Sequence, residues 1–356
     1  MRLIKRLWIW GLRRVREEVD DAQDDITHSA KPIRWSMWLA ACYFICALAV
    51  GIYWSFFPRS LDVKLVMQHA LLEQHVSSAE NVSAGIATTA SLIAIAETLW
   101  EKPGGYLSND MLPPSIWLDN MPYWEQGVLS QVRDTVEVLR ASFSQSVDNS
   151  YIDDNLQKAR ARLNFSSTSW LFPAAESQYI AGVNHLKKYL HRLIKSKNTD
   201  AHFYADADHL NDYLAGVEQR LKNLSQRLTA SVGPDINTDA SALKITQIGA
   251  GGLYTKTPWL QIDNVFYEAR GSSWALLILL QGVEIDFAVV LQEKNAKTCY
   301  EQIIRELLPT QQPIYSPFIL NGDGFGFVAN HSLLMASYFS RTQAAVADCR
   351  RQLSKF

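Results

Sequence analysis

The chain has 356 residues, and its 34 lysines and arginines are balanced by 36 aspartates and glutamates, for a net charge of −2. This balance excludes a strongly basic nucleic-acid-binding surface, and we find no nucleic-acid-binding motif. Outside one highly apolar segment, about 300 residues remain, enough for one large hydrophobic core or two small ones.

Residues 1–34 begin with a basic amphipathic stretch, MRLIKRLWIWGLRRVR. On a helix, one face of this stretch would be apolar and carry Trp8, while the cations lie around the other face. That pattern is typical of a helix in the lipid headgroup region. We predict a cytoplasmic basic tail containing such an interfacial helix; a disordered basic tail is the alternative.

Residues 35–57, WSMWLAACYFICALAVGIYWSFF, contain no charged side chain. A bilayer core needs about 20 apolar residues in helical form, and tryptophan and tyrosine near both ends suit the membrane interfaces. We predict a transmembrane helix from Trp35 to Phe57, with a buried core helix as the alternative. The pattern argues against a cleaved signal peptide, because its apolar core would span only about 7–15 residues before a small-residue cleavage site.

The cations around this segment predict its orientation. Only Arg59 and Lys64 follow it at a comparable distance, whereas eight cations precede it: Arg2, Lys5, Arg6, Arg13, Arg14, Arg16, Lys31 and Arg34. The positive-inside rule therefore predicts a cytoplasmic N-terminus, with all residues after the span on the far side of the membrane.

The first half of the far-side domain, residues 58–232, has the apolar spacing of helices. Helices are predicted at 61–75, 87–101, 124–146 and 175–195, together with a helix at 203–228 that carries a heptad repeat. The heptad positions are Phe203, Leu210, Leu214, Val217, Leu221, Leu224 and Leu228, with Ala207 filling the gap. We favour packing of this seam within the chain; a coiled coil with a second copy or another protein is the alternative.

Residues 233–262 lack periodicity and are predicted to be a connection with a short strand at 242–248. The second half, residues 263–356, is again helical. Helices are predicted at 264–293, which would be the central core helix, and at 297–308 and 331–353. The predicted fold is therefore all-α: one transmembrane helix followed by a large helical-bundle domain.

The four cysteines do not form a metal-binding motif, and no metal or cofactor is predicted. Cys42 and Cys46 lie within the apolar span. Cys299 and Cys349 lie in predicted helices on the far side, where a disulfide can form if the compartment is oxidising. Because no short spacing pairs them, two separate buried thiols are the favoured prediction.

The loop 101–125, between two predicted helices, is the best candidate for a functional surface, because long loops in compact domains are often functional. Aromatic rings beside carboxylates can line a sugar or peptide groove, and paired carboxylates can hydrolyse glycosides. A second interpretation, which we favour, is that the aromatic rings pack the loop onto the bundle while the acidic residues cap turns and helices. The candidate binding surface comprises Trp100, Tyr106, Asp110, Trp117, Asp119, Trp124 and Glu125.

Three other patterns give weaker signals. Glu176 in FPAAESQY is similar to the glutamate of lytic transglycosylases, but is better explained as a first-turn acid favourable to the helix dipole. His202, Asp206 and His209 share one helical face and could bind zinc, although a polar helix face is the simpler explanation. NGDGFGF at 321–327 matches neither a phosphate-binding nor a calcium-binding loop and predicts a turn.

Three long runs resemble an uncharacterised bacterial inner-membrane family, domain of unknown function 2333: LIAIAETLWEKPGGYLSNDMLPPSIWLDNMPYWEQGVLSQVRD, FYADADHLNDYLAGVEQRLKNLSQRLTASVG and GSSWALLILLQGVEIDFAVVLQEKNA. The resemblance covers most of the chain. It implies a Gram-negative bacterium, most specifically a gammaproteobacterium, and a periplasmic location for the large domain. It implies no activity and no site residues.

The sequence favours a non-enzymatic role: an envelope scaffold or accessory subunit of a membrane complex. Its expected partners are the lipid bilayer and a protein partner or second copy, without nucleic acid. The alternative is a periplasmic peptidoglycan- or peptide-binding protein, or a hydrolase, acting through the loop 101–125.

Overall fold

The computed structural model describes residues 35–74, 83–145, 152–195, 201–232, 256–316, 318–322 and 328–355. The basic N-terminal stretch and the strand predicted at 242–248 lie outside these residues. The chain divides into two compact units, Met1–Trp54 and Ser55–Phe356, of which the second is called the domain below. The described residues form helices and no strand, which confirms the all-α prediction.

The first unit contains helix α1, Trp35–Trp54, which is long and apolar enough to cross a membrane. Nearly all of its side chains are exposed, including Trp35, Trp38 and Ile45. The helix ends at Trp54 and not at the predicted Phe57, which stacks on Tyr267 within the domain.

The domain contains ten α-helices among its described residues. They are α2 (Val63–Glu73), α3 (Ile86–Glu101), α4 (Asn120–Val138), α5 (Asp154–Leu163), α6 (Ala175–Lys195), α7 (Ala207–Thr229), α8 (Ile262–Asp286), α9 (Ala288–Glu293), α10 (Lys297–Leu307) and α11 (His331–Leu353). Helix α5 was not predicted from the sequence. The single helix predicted at 264–293 is two helices, α8 and α9, separated at the buried Phe287.

Helix α8 lies at the centre of the domain, as predicted, and is buried on nearly all sides. It packs most extensively on α4, and the two backbones approach closely at two glycines. A Cβ atom on Gly127 would lie 2.0 Å from the Glu268 carbonyl oxygen, and one on Gly271 would lie 2.0 Å from the Trp124 carbonyl oxygen. These glycines let the helices cross at a distance that larger residues would prevent.

The heptad face of α7 packs on α11 of the same chain. Leu210, Leu214 and Leu221 are fully buried there. The helix begins at Ala207 rather than at 203, and Phe203 precedes it and packs on Phe143 and Phe287. Because the seam is covered within the chain, it no longer indicates a coiled coil with a partner.

The segments on either side of the connection 233–262 are interleaved in the domain. Helix α4, from the first segment, packs on α8 from the second, and α7 packs on α11 in the same way. One hydrophobic core therefore contains residues from both predicted halves.

Four connections lie at the same end of the domain, which we call the loop end. They are residues 102–119, 164–174, 256–261 and the described parts of 312–330. They follow the C-termini of α3, α5 and α10 or precede the N-termini of α4, α6, α8 and α11.

Hydrogen bonds tie these connections together. The Asn109 side-chain amide donates to the Ser169 carbonyl at 2.9 Å and so links the first two connections. The last two meet at the C-terminal turn of α7, where Thr257 N–H donates to the Ala230 carbonyl at 3.0 Å and the Asn321 amide donates to the Ser231 carbonyl. The packing of α4 against α8 joins the first two connections to the last two.

Candidate functional site

A buried ion pair fixes the start of the candidate loop. Lys102 follows α3, and its ammonium lies 2.7 Å from the carboxylate of Glu125 in α4, with both side chains almost fully buried. The same carboxylate accepts hydrogen bonds from the N–H groups of Leu107 and Ser108 at 2.9 and 2.8 Å. Burial raises the pKa of the Glu125 carboxyl, while the Lys102 cation and these donors act in the opposite direction. Glu125 therefore serves as an internal anchor for the loop.

Two of the candidate aromatic residues belong to the core. Trp124 is buried between Phe57 and Trp274, with ring centroids 6.1 and 5.1 Å away. Tyr106 is also buried and contacts the Tyr179 ring edge-on at 5.6 Å. Burial raises the pKa of the Tyr106 hydroxyl, so this phenol stays neutral at physiological pH. These rings attach the loop to the bundle.

The remaining candidates are more accessible. Asp110 is exposed and accepts a hydrogen bond from the Ser115 hydroxyl at 2.7 Å. Asp119 is exposed at the N-cap position of α4, where its side chain makes no capping hydrogen bond. Trp117 is exposed, and Trp100 is half-buried. With Glu125 buried and Asp110 and Asp119 at the surface, the three carboxylates do not converge in one open cleft.

The predicted loop is also shorter than expected. Helix α4 begins at Asn120, so Trp124 and Glu125 are helical, and the connection comprises residues 102–119. Pro122 lies in the first turn of α4, where a missing N–H costs no helical hydrogen bond.

The weaker candidates have structural partners. Glu176 lies in the first turn of α6 and accepts a hydrogen bond from the Asn109 amide at 2.7 Å. Asp206 caps α7 by accepting from His209 N–H, and its second oxygen contacts the His209 imidazole at 2.5 Å. Within the described ranges, no group of three or more His, Cys, Asp or Glu side chains is placed to bind a metal ion.

A disulfide joins Cys299 of α10 to Cys349 of α11, with Cα atoms 5.2 Å apart. The sequence favoured two separate thiols, because 50 residues separate the cysteines and neither lies in a short motif. The folding of α10 against α11 brings them together.

The sequence analysis singled out Trp117, but it did not recognise the larger apolar surface to which Trp117 belongs. Three Trp–Leu pairs lie at the loop end, and their tryptophans, Trp117, Trp170 and Trp259, are 49%, 54% and 77% exposed. We call the segments 115–118, 169–172 and 258–261 the Trp–Leu loops. Other exposed large apolar side chains in the connections of the loop end are Met111, Leu112, Ile116, Leu171, Phe172, Leu260, Tyr315, Phe318 and Val328.

A signal for this surface does exist in the sequence. Each Trp–Leu pair has a proline within three residues and lies outside the regular spacing of the helices: PPSIWL, SWLFP and PWLQ. Prolines in such positions favour exposed connections, so the pairs are placed where a helical core does not cover them. That the three loops share one end becomes visible only in the fold.

The chain matches a known protein family over most of its length. The model of a family described as "Uncharacterized protein conserved in bacteria (DUF2333)" matches residues 28–355. No curated protein and no solved structure matches the chain.

Proposed function

Since the chain belongs to the uncharacterised bacterial family DUF2333, we propose that it is a single-pass inner-membrane protein whose helical domain acts in the periplasm as a non-enzymatic scaffold or accessory subunit. The observation that carries the proposal is α1. Its 20 residues, at about 1.5 Å rise each, match the roughly 30 Å thickness of a bilayer core. Its side chains are mostly exposed, whereas those of the core helix α8 are mostly buried.

The flanking charges support the orientation. Eight cations precede α1, and only Arg59 and Lys64 follow closely. Cations near a span are retained on the cytoplasmic side, so the domain lies on the periplasmic side.

The disulfide between Cys299 and Cys349 supports the same compartment. Disulfides persist in the bacterial periplasm and are reduced in the cytosol. A bonded pair that joins α10 to α11 therefore favours a domain that folds outside the cytoplasm.

The arrangement of the candidate loop supports a non-enzymatic role. General acid–base chemistry needs carboxylates that reach the same substrate from a shared cleft. Glu125 is instead occupied by Lys102 and two backbone N–H groups, while Asp110 accepts from Ser115. The carboxylates of Glu125 and Asp110 are thus used in contacts within the loop, and these contacts stabilise its conformation.

Reporter fusions test the placement. Alkaline phosphatase fused after Phe356 is expected to be active, because the enzyme needs an oxidising compartment. The matched control, phosphatase fused after Arg34 and thus lacking α1, is expected to be inactive. An inactive fusion after Phe356, or release of the full chain from membranes by alkaline carbonate, would overturn the placement.

Crosslinking in native membranes tests the role. A scaffold or accessory subunit is expected to be recovered with the same envelope proteins in near-stoichiometric amounts. The variant carrying Trp117→Ala and Asp119→Ala examines whether the candidate surface contributes. Recovery of the chain without any reproducible partner would contradict the accessory-subunit role.

A further inference from the structure

The loop end carries three exposed tryptophans, and it carries them in three separate connections. In the rest of the domain, the described tryptophans Trp100 and Trp124 are half-buried and buried, and Trp274 is buried in α8. A soluble surface rarely concentrates exposed aromatic and aliphatic side chains in this way, and such a patch indicates contact with a protein or a membrane. Tryptophan with leucine is the combination found at membrane–water interfaces.

The opposite end of the domain provides an internal comparison. Its described residues include four exposed large apolar side chains, those of Leu65, Leu72, Ile152 and Val289. No tryptophan or phenylalanine is exposed in that described part. The aromatic surface is thus specific to one end and is not a general property of the domain.

The point at which the chain enters the domain lies close to the loop end. Phe57 packs on Trp124 and Tyr267, near the beginnings of α4 and α8, and Arg270 lies 5.9 Å above its ring. From there residues 60–64 run beside the C-terminal half of α8. Two residues, Ser55 and Phe56, lie between Trp54 and Phe57, and these three residue steps of extended chain cover at most about 10 Å. The chain therefore enters the domain close to the loop end.

We propose that the loop end docks on the periplasmic leaflet of the membrane that α1 spans, with the three Trp–Leu loops inserted at its interface. This inference rests on the proposed membrane anchor and adds a second membrane contact. The exposed charges next to the first Trp–Leu loop, Asp110 and Asp119, are acidic. Docking is therefore apolar and aromatic, and it does not need anionic lipid or low salt.

Depth-sensitive labels on the full chain in liposomes test the proposal. In a background with Cys42→Ala and Cys46→Ala, and with the native disulfide kept oxidised, single cysteines are introduced by Trp117→Cys, Phe172→Cys or Trp259→Cys. Each is labelled with an environment-sensitive fluorophore. We expect blue-shifted emission at all three sites and quenching by nitroxide-labelled phospholipids, unchanged in high salt or in purely zwitterionic vesicles.

Two further labels serve as references. Val289→Cys, at the opposite end, is expected to report water and to remain unquenched. Ile45→Cys, within α1, is expected to be quenched and shows independently that the anchor is inserted. Quenching at Ile45 without quenching at the loop end would overturn the docking alone, whereas loss of quenching at Ile45 would overturn the anchor on which it rests.

Paired substitutions separate lipid contact from protein contact. Leu112→Glu with Leu260→Glu is expected to abolish quenching of a label at Phe172→Cys, while the matched pair Leu65→Glu with Leu72→Glu, on α2, leaves it unchanged. All four leucines are exposed, so an unchanged circular dichroism spectrum is expected for both variants. A blue shift at the loop end without lipid quenching would mean that a protein or second copy covers it, and would overturn the proposal.

Discussion

The ion pair between Lys102 and Glu125 shows how a few residues determine the conformation of the candidate loop. Both side chains are buried, and Lys102 also donates to the Gly105 carbonyl. The attraction within such a pair offsets the free-energy cost of removing both charges from water only while both charges are present and hydrogen-bonded. The arrangement couples the end of α3 to the first turns of α4, and so fixes both ends of the connection that carries Trp117.

The first prediction follows from this dependence. Glu125→Gln leaves the Lys102 ammonium buried without an anion, and we expect a loss of about 3–5 kcal/mol in the free energy of unfolding. Denaturant unfolding of the full chain in detergent, followed by circular dichroism, measures this loss.

Two controls accompany this measurement. Glu293→Gln alters an exposed glutamate and is expected to have little effect. The double variant with Lys102→Met and Glu125→Gln removes the buried charge altogether and should recover part of the stability. Equal stability of Glu125→Gln and the wild type would show that the pair does not hold the loop.

The role of Glu125 could not be predicted from the sequence. Its partner lies 23 positions earlier, beyond a connection whose path follows no periodic rule. Asp286 is a similar case: it accepts hydrogen bonds from Ala87 and Thr88 at the start of α3, almost 200 residues away. In both cases the carboxylate satisfies backbone N–H groups of a distant element, which only the tertiary fold brings within reach.

At the level of elements, the crossing of α4 and α8 depends on two glycines that face each other's backbone. Glycine in a helix costs conformational entropy, so its presence at a crossing indicates that the space is needed. At Gly271 an added Cβ would lie 2.0 Å from a carbonyl oxygen, which a rotamer change cannot relieve.

The second prediction compares two glycines in helices. Gly271→Ala is expected to destabilise the protein by about 1–3 kcal/mol, because α4 and α8 must move apart. Gly216→Ala in α7, where nothing lies within 4 Å of the added Cβ, is expected to stabilise it by about 0.5–1 kcal/mol through helix propensity. Thermal unfolding of both variants measures the difference, and a stabilising Gly271→Ala would contradict the close crossing.

The helices that could be predicted are those with regular apolar spacing. α6 and α11 have the predicted boundaries because their apolar positions recur through several turns. α5 escaped prediction because only Leu156, Ala159 and Leu163 mark its buried face, among charged neighbours. The break between α8 and α9 at Phe287 was not predicted because the run of apolar residues continues through it.

At the level of the whole molecule, the sequence predicted the class of fold but not the surface that the fold creates. Taken alone, the sequence of each Trp–Leu loop predicts an ordinary connection between helices. Three of them form a common surface because α3 and α5 end where α4, α6 and α8 begin. Such a surface depends on the direction of every helix, and periodicity gives the position of a helix in the chain but not its direction in the bundle.

The interleaving of the two predicted halves leads to the last prediction. If α8 completes the core begun by α4, and α11 covers the heptad face of α7, neither half can bury its apolar surface alone. Cutting the chain between them should then leave a noncovalent complex. A specific protease site placed after Ala240, in the connection 233–262, provides the cut.

After cleavage, we expect the fragments 1–240 and 241–356 to co-elute in detergent and to unfold in one transition at a midpoint below that of the uncut chain. The lower midpoint follows because a cut chain gains the entropy of two separate fragments on unfolding. The uncut protein with the same insertion is the matched control. Two separate transitions would mean that the halves are independent domains. The same conclusion would follow if the separated fragment 1–240 kept its helical content, because helix propensity alone cannot stabilise α7 once its apolar seam is exposed.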